Sequence, residues 1–505
     1  MAFPQQALPP GTRFVRLLWT DIAGLRRCRV VPASAWKGTP DEPHFTPLAV
    51  NLAEVCVSLQ TLEDAPAWPA SLRPLHAACM APGTGAAVVP LGPSCPGHAL
   101  VACDLMEPDP AGLRGQNYVQ SLPTCPRRAL VRAEAGLLGA AALKVEVGFE
   151  IEFRLLARPG AGAGAGGHAA AGPATYALAS TLDAAAPILD AIVDGCAGAG
   201  IRVLQYHGES GTGAFELVTG HAPPVEAVDT LLYTRTIISS VAAAHGYGVT
   251  FAPKPSPDEA GLGAHAHLSL WEVDGSPDGV NLTAPGCSAG PARPGPADSR
   301  GASFMAGILN RLDGLLALTA GSPSSFARIQ PGAWAGAHQR WGGEEDKEAP
   351  LRYVSCTRDG RFEVKCLDAT ANPYLALAGL IAAGLAGIKK KERLHAPAPA
   401  VGGPPLGQDR AVRAAEEGPA NDGEPRPAAP ADRPRPGARL PESVEATLAA
   451  FGRPEVADAL SAFLSPDLLA LVPAVRRADA EAAAALAATP GGADKLRAAY
   501  SRVYS

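Results

Sequence analysis

The chain has 505 residues, 47% of them hydrophobic and 18% charged, which is typical of a globular protein with room for more than one domain. Its net charge of −6 is small for this length, and no basic segment rich in aromatic residues indicates a nucleic-acid partner. The ten cysteines follow no CxxC or disulfide spacing, so we expect reduced thiols in a cytoplasmic protein.

The first 115 residues predict a small α+β domain. Residues 13–32, RFVRLLWTDIAGLRRCRVVP, predict two strands around a turn at residues 21–24, and short strand-like runs follow at residues 85–108. The sequence MAFPQQALPPGTR at the amino end lacks the charged and apolar regions of a secretory signal.

Residues 116–505 predict one larger domain in which helices alternate with strands. Helices are expected at residues 125–140, 183–200, 225–246 and from 441 onward, and strands at residues 144–156, 202–210, 213–220 and 249–255. Three segments rich in Gly, Ala and Pro interrupt this pattern, at residues 157–174, 284–302 and 395–439. We interpret them as mobile linkers or surface insertions, because they contain too few large apolar residues to form a core.

The longest apolar run, residues 374–388, is too short for a membrane span, which requires about 20 residues. We predict a buried helix instead. Asn372 would cap its amino end and Pro373 would begin it. The lysines at positions 389–391 would lie at its carboxyl end, where the helix dipole favours positive charge. The sequence therefore predicts no membrane association.

Four strand-like segments place polar side chains at alternate positions, and so on one face of a sheet. These side chains are Glu150 and Glu152 in FEIEF, Glu209 and Glu216 in GESGTGAFE, His265, His267 and Ser269 in GLGAHAHLSLW, and Arg361, Glu363 and Lys365 in RFEVK. Any one segment alone is explained by a solvated sheet face. Because the segments lie among long helices, we expect a sheet that is covered on one side and carries five carboxylates on the other.

Such a cluster of carboxylates predicts a divalent-metal site. Two carboxylates about 4 Å apart repel by roughly 4 kcal/mol at an effective dielectric constant of about 20. Oxygen donors with few histidines suit Mg²⁺ or Mn²⁺ better than Zn²⁺. Metals beside arginine and lysine typically bind phosphates, so the pattern indicates nucleotide-dependent phosphoryl transfer, although the sequence has no GxxxxGK[ST] loop.

In their order along the chain, the motifs resemble those of the glutamine synthetase family. The segments are GFEIEF, HGESGTGAFE, GLGAHAHLSLW, RIQPGAWAGAHQRWGGEEDKEAPLR and RFEVKCLDATANPYLALAGLIAAGL, and VRLLWTDIAGLRRCRVVP resembles the family's amino-terminal β-grasp domain. The resemblance covers most of the chain outside the three insertions and points to the nodulin and FluG-type branch. It implies an α+β fold: a β-grasp domain at residues 1–115, and at residues 116–505 a catalytic domain built on a curved antiparallel sheet or half-barrel covered by helices.

The resemblance also implies an ATP-dependent ligase. Such an enzyme forms γ-glutamyl phosphate from glutamate and ATP and transfers it to ammonia or another amine, with Mg²⁺ or Mn²⁺ as cofactor, in a ring-shaped homo-oligomer. One metal would be held by Glu152, Glu209 and Glu216, and the other by Glu150, His265 and Glu363. The nucleotide would contact His267, Ser269, Lys347, Arg352 and Arg361, and glutamate would contact Gly261, Arg328 and Lys365. The catalytic residues would be Arg328, Lys347 and Arg352.

Several positions depart from the family's usual pattern, mostly on the amine side of the expected site. Trp334 stands where a flap glutamate usually helps to deprotonate ammonium. Lysine replaces arginine at Lys347 and Lys365, which keeps the charge and loses the bidentate fork. The remaining departures are Ala214 for Gln, Ala260 for Asn, and Asp64 as a weak match for the aspartate of the ammonium pocket. These departures leave two nitrogen substrates open, ammonia or another amine.

Two other functions stay open at this point. A catalytically weak scaffold or regulatory protein of the same family is favoured by Trp334, Lys347 and Ala214. A metal-dependent amidohydrolase also uses a His-x-His strand, but it needs further metal-binding histidines, and only His338 and His395 follow His267.

Overall fold

The computed structural model describes residues 7–36, 46–48, 78–108, 118–157, 176–273, 279–284, 300–337, 346–354, 360–394 and 439–505. The three predicted insertions lie almost entirely outside the described residues, as does Asp64. Within the described ranges the chain forms a mixed α/β fold with two sheets. Among the helices in these ranges, none has both the length and the apolar character that crossing a membrane requires.

The strands divide between the two sheets in chain order. The first sheet contains β1 (Phe14–Thr20), β2 (Arg26–Pro32), β3 (Thr46–Leu48), β4 (Ala78–Pro82), β5 (Val89–Pro90), β6 (His98–Pro108) and β7 (Tyr118–Ser121). The second contains β8 (Leu143–Ala157), β9 (Val203–Gly208), β10 (Ala214–Thr219), β11 (Tyr247–Thr250), β12 (Ala266–Glu272), β13 (Val280–Asn281), β14 (Leu351–Val354) and β15 (Arg361–Val364).

The helices follow the first sheet and alternate with the strands of the second. They are α1 (Pro126–Ala141), α2 (Ala179–Gly198), α3 (Pro224–Ala244), α4 (Arg300–Leu309), α5 (Leu312–Thr319), α6 (Pro323–Arg328), α7 (Pro373–Lys390), α8 (Val444–Phe451), α9 (Pro454–Leu460), α10 (Pro466–Ala487) and α11 (Gly492–Val503). The helices predicted at residues 125–140, 183–200, 225–246 and beyond 441 are confirmed.

The first sheet has the strand order β2-β1-β6-β4-β3, with β5 and β7 also paired to β6. The predicted amino-terminal hairpin is confirmed, because β1 and β2 pair antiparallel around residues 21–25. Asp21 stabilises the turn by accepting a hydrogen bond from the Leu25 main-chain N–H, at 3.0 Å, and by pairing with Arg27. Because β7 pairs with β6, the first sheet reaches residue 121, beyond the predicted domain boundary at residue 115.

The second sheet has the strand order β14-β15-β12-β8-β10-β9, and each pair of neighbouring strands in this order is antiparallel. Strand β8 alternates apolar and polar residues, and its apolar residues from Val145 to Phe153 are buried. Helices α1 and α3 pack against β8, so one face of this strand is covered. Glu150 and Glu152 therefore point to the other face of β8, opposite to the face that carries Ile151.

Strand β11 is shorter than predicted. The sequence predicted a strand over residues 249–255, but β11 ends at Thr250. Pro253 and Pro255 follow, and proline has no main-chain N–H to donate to a neighbouring strand.

A buried ion-pair network joins the two sheets. Arg127 on α1 pairs with Asp104 on β6 at 3.1 Å and with Asp229 on α3 at 2.8 Å. The Tyr374 hydroxyl on α7 donates to Asp229 at 2.6 Å. Because all four side chains are buried, the first sheet and the helices of the second are fixed against each other by charge as well as by apolar packing.

The predicted buried helix is confirmed as α7. Asn372 caps it by accepting hydrogen bonds from the main-chain N–H groups of Tyr374 and Leu375, at 3.1 and 3.2 Å. Its amide also donates to the main-chain oxygen of Asp21, at 2.9 Å, which ties the helix to the first sheet. At the carboxyl end Lys389 and Lys390 occupy the last turn.

Replacing Asn372 with alanine is expected to lower the free energy of unfolding by about 2 kcal/mol, because the change removes a helix cap and the hydrogen bond from the helix to the first sheet together. Urea denaturation followed by circular dichroism measures this loss. Ser443→Ala is the matched control, since Ser443 caps α8 through the Ala446 N–H alone. A loss no larger than that of the control would contradict the second role of Asn372.

Candidate functional site

The register of the second sheet brings polar residues from different strands into rows. Directly opposite residues of antiparallel strands share a face of the sheet. In one row Glu216 on β10 lies between Glu152 on β8 and His207 on β9. These three residues are separated by up to 64 positions in sequence, and the strand pairing alone brings them together.

A second row lies on the other side of β8. Here Glu363 on β15 lies opposite His267 on β12 and opposite Arg352 on β14. Two sets of strand pairs therefore bring the polar side chains onto one face of the sheet. One set is β8-β10-β9 and the other is β12-β15-β14.

The first acidic cluster consists of His207, Glu209 and Glu216, whose ligand atoms all lie within 4.8 Å of one another. His207 Nε2 is 3.2 Å from Glu209 Oε1, and its Nδ1 is 3.9 Å from Glu216 Oε1. The turn between β9 and β10 brings the two glutamates together, as the sequence predicted. His207 was not predicted, although it precedes Glu209 at the same alternate spacing that identified the other residues.

The second acidic cluster consists of Glu150, His267 and Glu363, whose ligand atoms also lie within 4.8 Å of one another. His267 Nε2 is 2.8 Å from Glu150 Oε1. Arg361 Nε donates to His267 Nδ1 at 3.0 Å, so Nδ1 is an acceptor and Nε2 carries the proton that is donated to Glu150. The predicted nucleotide-side residue His267 therefore lies directly beside the predicted metal ligand Glu150, and Arg361 lies beside His267.

His265 lies between the two clusters and contacts three glutamates. Its Nδ1 is 3.1 Å from Glu150 Oε2 and 3.2 Å from Glu363 Oε1, and its Nε2 is 3.7 Å from Glu152 Oε1. The main-chain N–H of Gly263 donates to Glu152 at 2.8 Å. A Cβ at Gly263 would lie 2.4 Å from His265 Nε2, so only glycine permits this close approach.

Two cationic side chains flank the second cluster. Arg352 Nη1 donates to Glu363 Oε2 at 2.8 Å, and Lys365 Nζ donates to Glu363 Oε1 at 3.0 Å. Glu363 is only 1% exposed. Burial raises the pKa of Glu363, but its contacts with His265 and Lys365 outweigh burial and hold the pKa well below the usual value. This carboxylate is therefore ionised and surrounded by positive charge.

The pKa of Glu216 shifts in the opposite direction from that of Glu363. Burial, followed by the charges of Glu150, Glu152 and Glu209, raises the pKa of Glu216 to about 10. The carboxylates of the sheet face thus repel one another more than His207 and His265 can offset. A divalent cation among them would relieve this repulsion, and the carboxylate and imidazole donors are those that Mg²⁺ and Mn²⁺ accept. The residues present therefore fit the metals that the sequence predicted.

The predicted glutamate-binding residues Gly261 and Arg328 are in contact. A Cβ at Gly261 would lie 2.4 Å from Arg328 Cγ, so glycine is required here. Arg328 is buried and donates from Nη2 to the main-chain oxygens of Lys365 and Leu367, at 3.1 and 3.3 Å. Its Nε has no hydrogen-bond partner in the described part of the chain and lies 3.6 Å from Asp368 Oδ2.

Two other predicted residues, Lys347 and Ser269, are not members of the two acidic clusters. The Lys347 ammonium lies 5.1 Å from the centre of the Trp334 ring, and both side chains are exposed. Trp334 has a φ of 53°, and its main-chain N–H donates to Glu348 at 2.8 Å. Ser269 accepts a hydrogen bond from Trp271 Nε1 at 2.8 Å. Lys347 thus contacts Trp334, one of the residues that depart from the family pattern. It forms no ion pair with a described carboxylate.

Comparison with known proteins identifies relatives of this chain. The family model for the glutamine synthetase catalytic domain matches residues 123–403. Gamma-glutamylpolyamine synthetase GlnA3 of Streptomyces coelicolor is 40% identical over 274 residues, which are 53% of this chain and 55% of that protein. Type-1 glutamine synthetase 1 of Dictyostelium discoideum is 31% identical over 401 residues, which are 75% of this chain and 74% of that protein.

Two further matches agree with these. Protein fluG of Emericella nidulans is 33% identical over 275 residues, which are 54% of this chain and 28% of that protein. The crystal structure of a novel glutamine synthase homolog matches with a TM-score of 0.69 and 26% identity, covering 99% of this chain and all of that one. The chain therefore has a glutamine synthetase catalytic domain preceded by a small sheet domain. It belongs to the glutamine synthetase family, in the branch that contains fluG.

Proposed function

We propose that this protein is an ATP-dependent ligase that joins the γ-carboxylate of glutamate to an organic amine. The observation that carries the proposal is the pair of acidic clusters on one sheet face, with Arg352 and Lys365 on Glu363 and with His265 between the clusters. The membership of the glutamine synthetase family supports glutamate as the acyl substrate. The similarity to a gamma-glutamylpolyamine synthetase supports an organic amine.

The reaction consists of two displacements. An oxygen of the glutamate γ-carboxylate attacks the γ-phosphorus of ATP, and ADP leaves. The amine nitrogen then attacks the acyl carbon, phosphate leaves, and the nitrogen loses one proton. We assign Glu152, Glu209 and Glu216 to one divalent cation and Glu150, His265 and Glu363 to the other. When bound, these cations would neutralise the phosphoryl group during its transfer.

The remaining residues are proposed to position the substrates. His267, Ser269 and Arg361 would line the nucleotide, and Arg352 and Lys347 would contact its phosphates. Gly261, Arg328 and Lys365 would bind glutamate; the Nε of Arg328 makes no hydrogen bond to a described residue and lies 3.6 Å from Asp368 Oδ2. His207 would be a further donor in the first cluster. We also propose a homo-oligomeric ring, as in the family.

Enzyme assays test this proposal directly. The purified protein is incubated with glutamate, Mg²⁺ and ATP and with ammonia, monoamines, diamines or polyamines, and phosphate release and γ-glutamyl amides are measured. We expect product with at least one organic amine and none after removal of divalent cations with EDTA. No phosphate and no amide with any amine would contradict the ligase.

A catalytically weak scaffold remains the second candidate, since Lys347 contacts Trp334 and no described carboxylate. Calorimetric titration with Mg-ATP separates the two functions. A scaffold would bind the nucleotide without turnover, whereas a ligase would cleave it to ADP and phosphate when glutamate and the right amine are added. The family membership leaves the amidohydrolase without support.

Tyr176 provides a contact for an organic amine. Its ring is 56% exposed and lies edge-on to His207, with 5.2 Å between ring centres. Burial, followed by the charges of Glu209 and Glu216, raises the pKa of its hydroxyl. An exposed aromatic ring beside carboxylates is a suitable surface for an alkylammonium group.

Tyr176→Ala is expected to raise the KM for the preferred organic amine about 5-fold, because a partly exposed cation–π contact contributes about 1 kcal/mol. The KM for ATP should stay within twofold. Tyr206→Ala is the control, since Tyr206 precedes His207 on β9 and bonds Asp190 instead. Equal effects of the two substitutions on the amine KM would contradict the role of Tyr176.

A further inference from the structure

A cavity of about 590 Å³ lies between the first sheet, α3 and the last residues of the chain. Its lining contains Arg16 and Arg26 from the first sheet, Arg235 and Ser239 from α3, and Phe251 after β11. The residues that line it include no member of the two acidic clusters. The volume is in the range of small-molecule sites, which is about 300–1,000 Å³.

Arg235 is a buried cation whose Nε lacks a hydrogen-bond acceptor in the described ranges of the chain. It is only 4% exposed, and its Nε has no hydrogen-bond partner among the described residues. Its guanidinium carbon lies 5.4 Å from the centre of the Phe251 ring. The carboxylate that acts on it, Asp368, is beyond ion-pair distance and lies beside Arg328. A buried guanidinium left in this state is unfavourable unless an anion joins it.

Arg26 carries a second positive charge into the same cavity. Its guanidinium carbon is also 5.4 Å from the centre of the Phe251 ring. It donates to Thr236 Oγ1 and Ser239 Oγ, each at 3.1 Å, and to the main-chain oxygen of Ser505. Burial and the charge of Arg235 lower the pKa of Arg26 to about 9, so the two guanidinium groups repel each other.

We propose that this cavity binds a small anion, with phosphate or carboxylate groups, between Arg26 and Arg235. Guanidinium groups bind both of these anions through paired N–H donors. The hydroxyl oxygens of Thr236 and Ser239 accept from Arg26 while their O–H groups donate to main-chain oxygens of α3, so they hold the Arg26 guanidinium in place. The anion would stabilise the protein by neutralising two charges that no described Asp or Glu side chain pairs with.

The proposed site would connect the first sheet to the sheet that carries the acidic clusters. Arg26 belongs to β2, whereas Arg235 belongs to α3, which packs against β8. Strand β8 holds Glu150 and Glu152. An anion held by both arginines would therefore link the two sheets at a place separate from the clusters.

Thermal unfolding of the full-length protein tests the proposal, without ATP, glutamate or divalent cations. The anions are inorganic phosphate and a series of dicarboxylates of two to five carbons, at constant ionic strength. We expect a concentration-dependent rise in Tm for the wild type, and at least tenfold weaker binding for Arg26→Gln and Arg235→Gln. Comparing the phosphate series with the dicarboxylate series shows which of the two anions the protein prefers.

Two controls separate this cavity from other anion sites. Arg477→Gln, at an exposed arginine on α10, should bind the anion as the wild type does. Arg352→Gln removes a cation from the acidic clusters and should also retain the rise in Tm. Without anion, Arg235→Gln should be at least as stable as the wild type, because it removes a repulsive charge, so misfolding does not explain its loss of binding.

Three results would overturn the proposal. One is the absence of any Tm rise in the wild type with phosphate or with any dicarboxylate. Another is an equal rise in the wild type, Arg26→Gln and Arg235→Gln. The last is a change of oligomeric state in these two variants with unchanged anion binding, which would show that a second copy of the chain covers the arginines.

Discussion

Glu363→Gln is expected to lower kcat about 10³-fold while the protein stays folded. Glutamine has the shape of glutamate and lacks its charge, so both acidic clusters remain in place. The second cluster loses the carboxylate that we assign to a divalent cation, and Arg352 and Lys365 lose their shared partner, at 2.8 and 3.0 Å. Loss of one preorganised charge near a transferring group typically lowers kcat by about 10²–10³, and weaker metal binding adds to this loss.

The measurement is the rate of phosphate release at saturating ATP and glutamate with the best amine, over a range of Mg²⁺ concentrations. We expect the Mg²⁺ concentration for half-maximal activity to rise together with the fall in kcat. Glu481→Gln, at an exposed position on α10, is the matched control and should behave as the wild type. A change in kcat of less than threefold for Glu363→Gln would show that Glu363 has no role in the reaction.

The same substitution should destabilise the protein. Removing one partner of a buried ion pair costs about 3–5 kcal/mol, because the remaining charges keep their desolvation penalty. Here the relief of repulsion with Glu216 opposes part of the loss. We therefore expect a decrease in the free energy of unfolding below 3 kcal/mol without metal, measured by urea denaturation.

The second large effect is expected at Arg127, far from the reaction. Arg127→Leu should lower the free energy of unfolding by about 3–5 kcal/mol, since Asp104 and Asp229 would stay buried without their cation. Arg127 is only 2% exposed, and besides these two carboxylates it donates to the main-chain oxygen of Thr84 at 3.0 Å. Tyr374 alone would still donate to Asp229.

The neighbouring Arg128 provides the control for this prediction. Arg128 lies 3.9 Å from Asp104 and is partly exposed, so Arg128→Leu should cost at most about 1 kcal/mol. Adding Asp104→Asn and Asp229→Asn to Arg127→Leu should recover part of the lost stability, because no charge then remains buried. Equal losses for Arg127→Leu and Arg128→Leu in urea denaturation would contradict the buried network.

Local sequence patterns were sufficient for the elements that local physics determines. The alternation in β8 predicted that Glu150 and Glu152 share a face, because successive side chains of a strand point to opposite sides. Asn372 and Pro373 predicted the start of α7, since capping depends on residues within one turn. Pro253 and Pro255 indicate in the sequence that β11 ends before them, but the prediction of a strand over residues 249–255 did not take them into account.

The pairing of distant strands lay beyond local patterns. Nothing near His207 in sequence indicates that it faces Glu216, because this neighbourhood depends on the register of β9 against β10. Arg352 likewise reaches Glu363 only through the pairing of β14 with β15. The contact of Lys347 with Trp334 joins residues whose side chains could have pointed elsewhere.

The sequence by itself determined the family, the two-part chain and the inventory of carboxylates, histidines and cations, since these follow from residue type and short spacing. Only the tertiary structure decided which of them meet: His265 between two acidic clusters, Arg127 between two buried aspartates, and Arg26 beside Arg235 in a cavity, where no Asp or Glu side chain of the described residues pairs with either. The physical reason is that electrostatic energy depends on distances between atoms, and these distances are fixed by strand register and helix packing between segments that lie far apart along the chain.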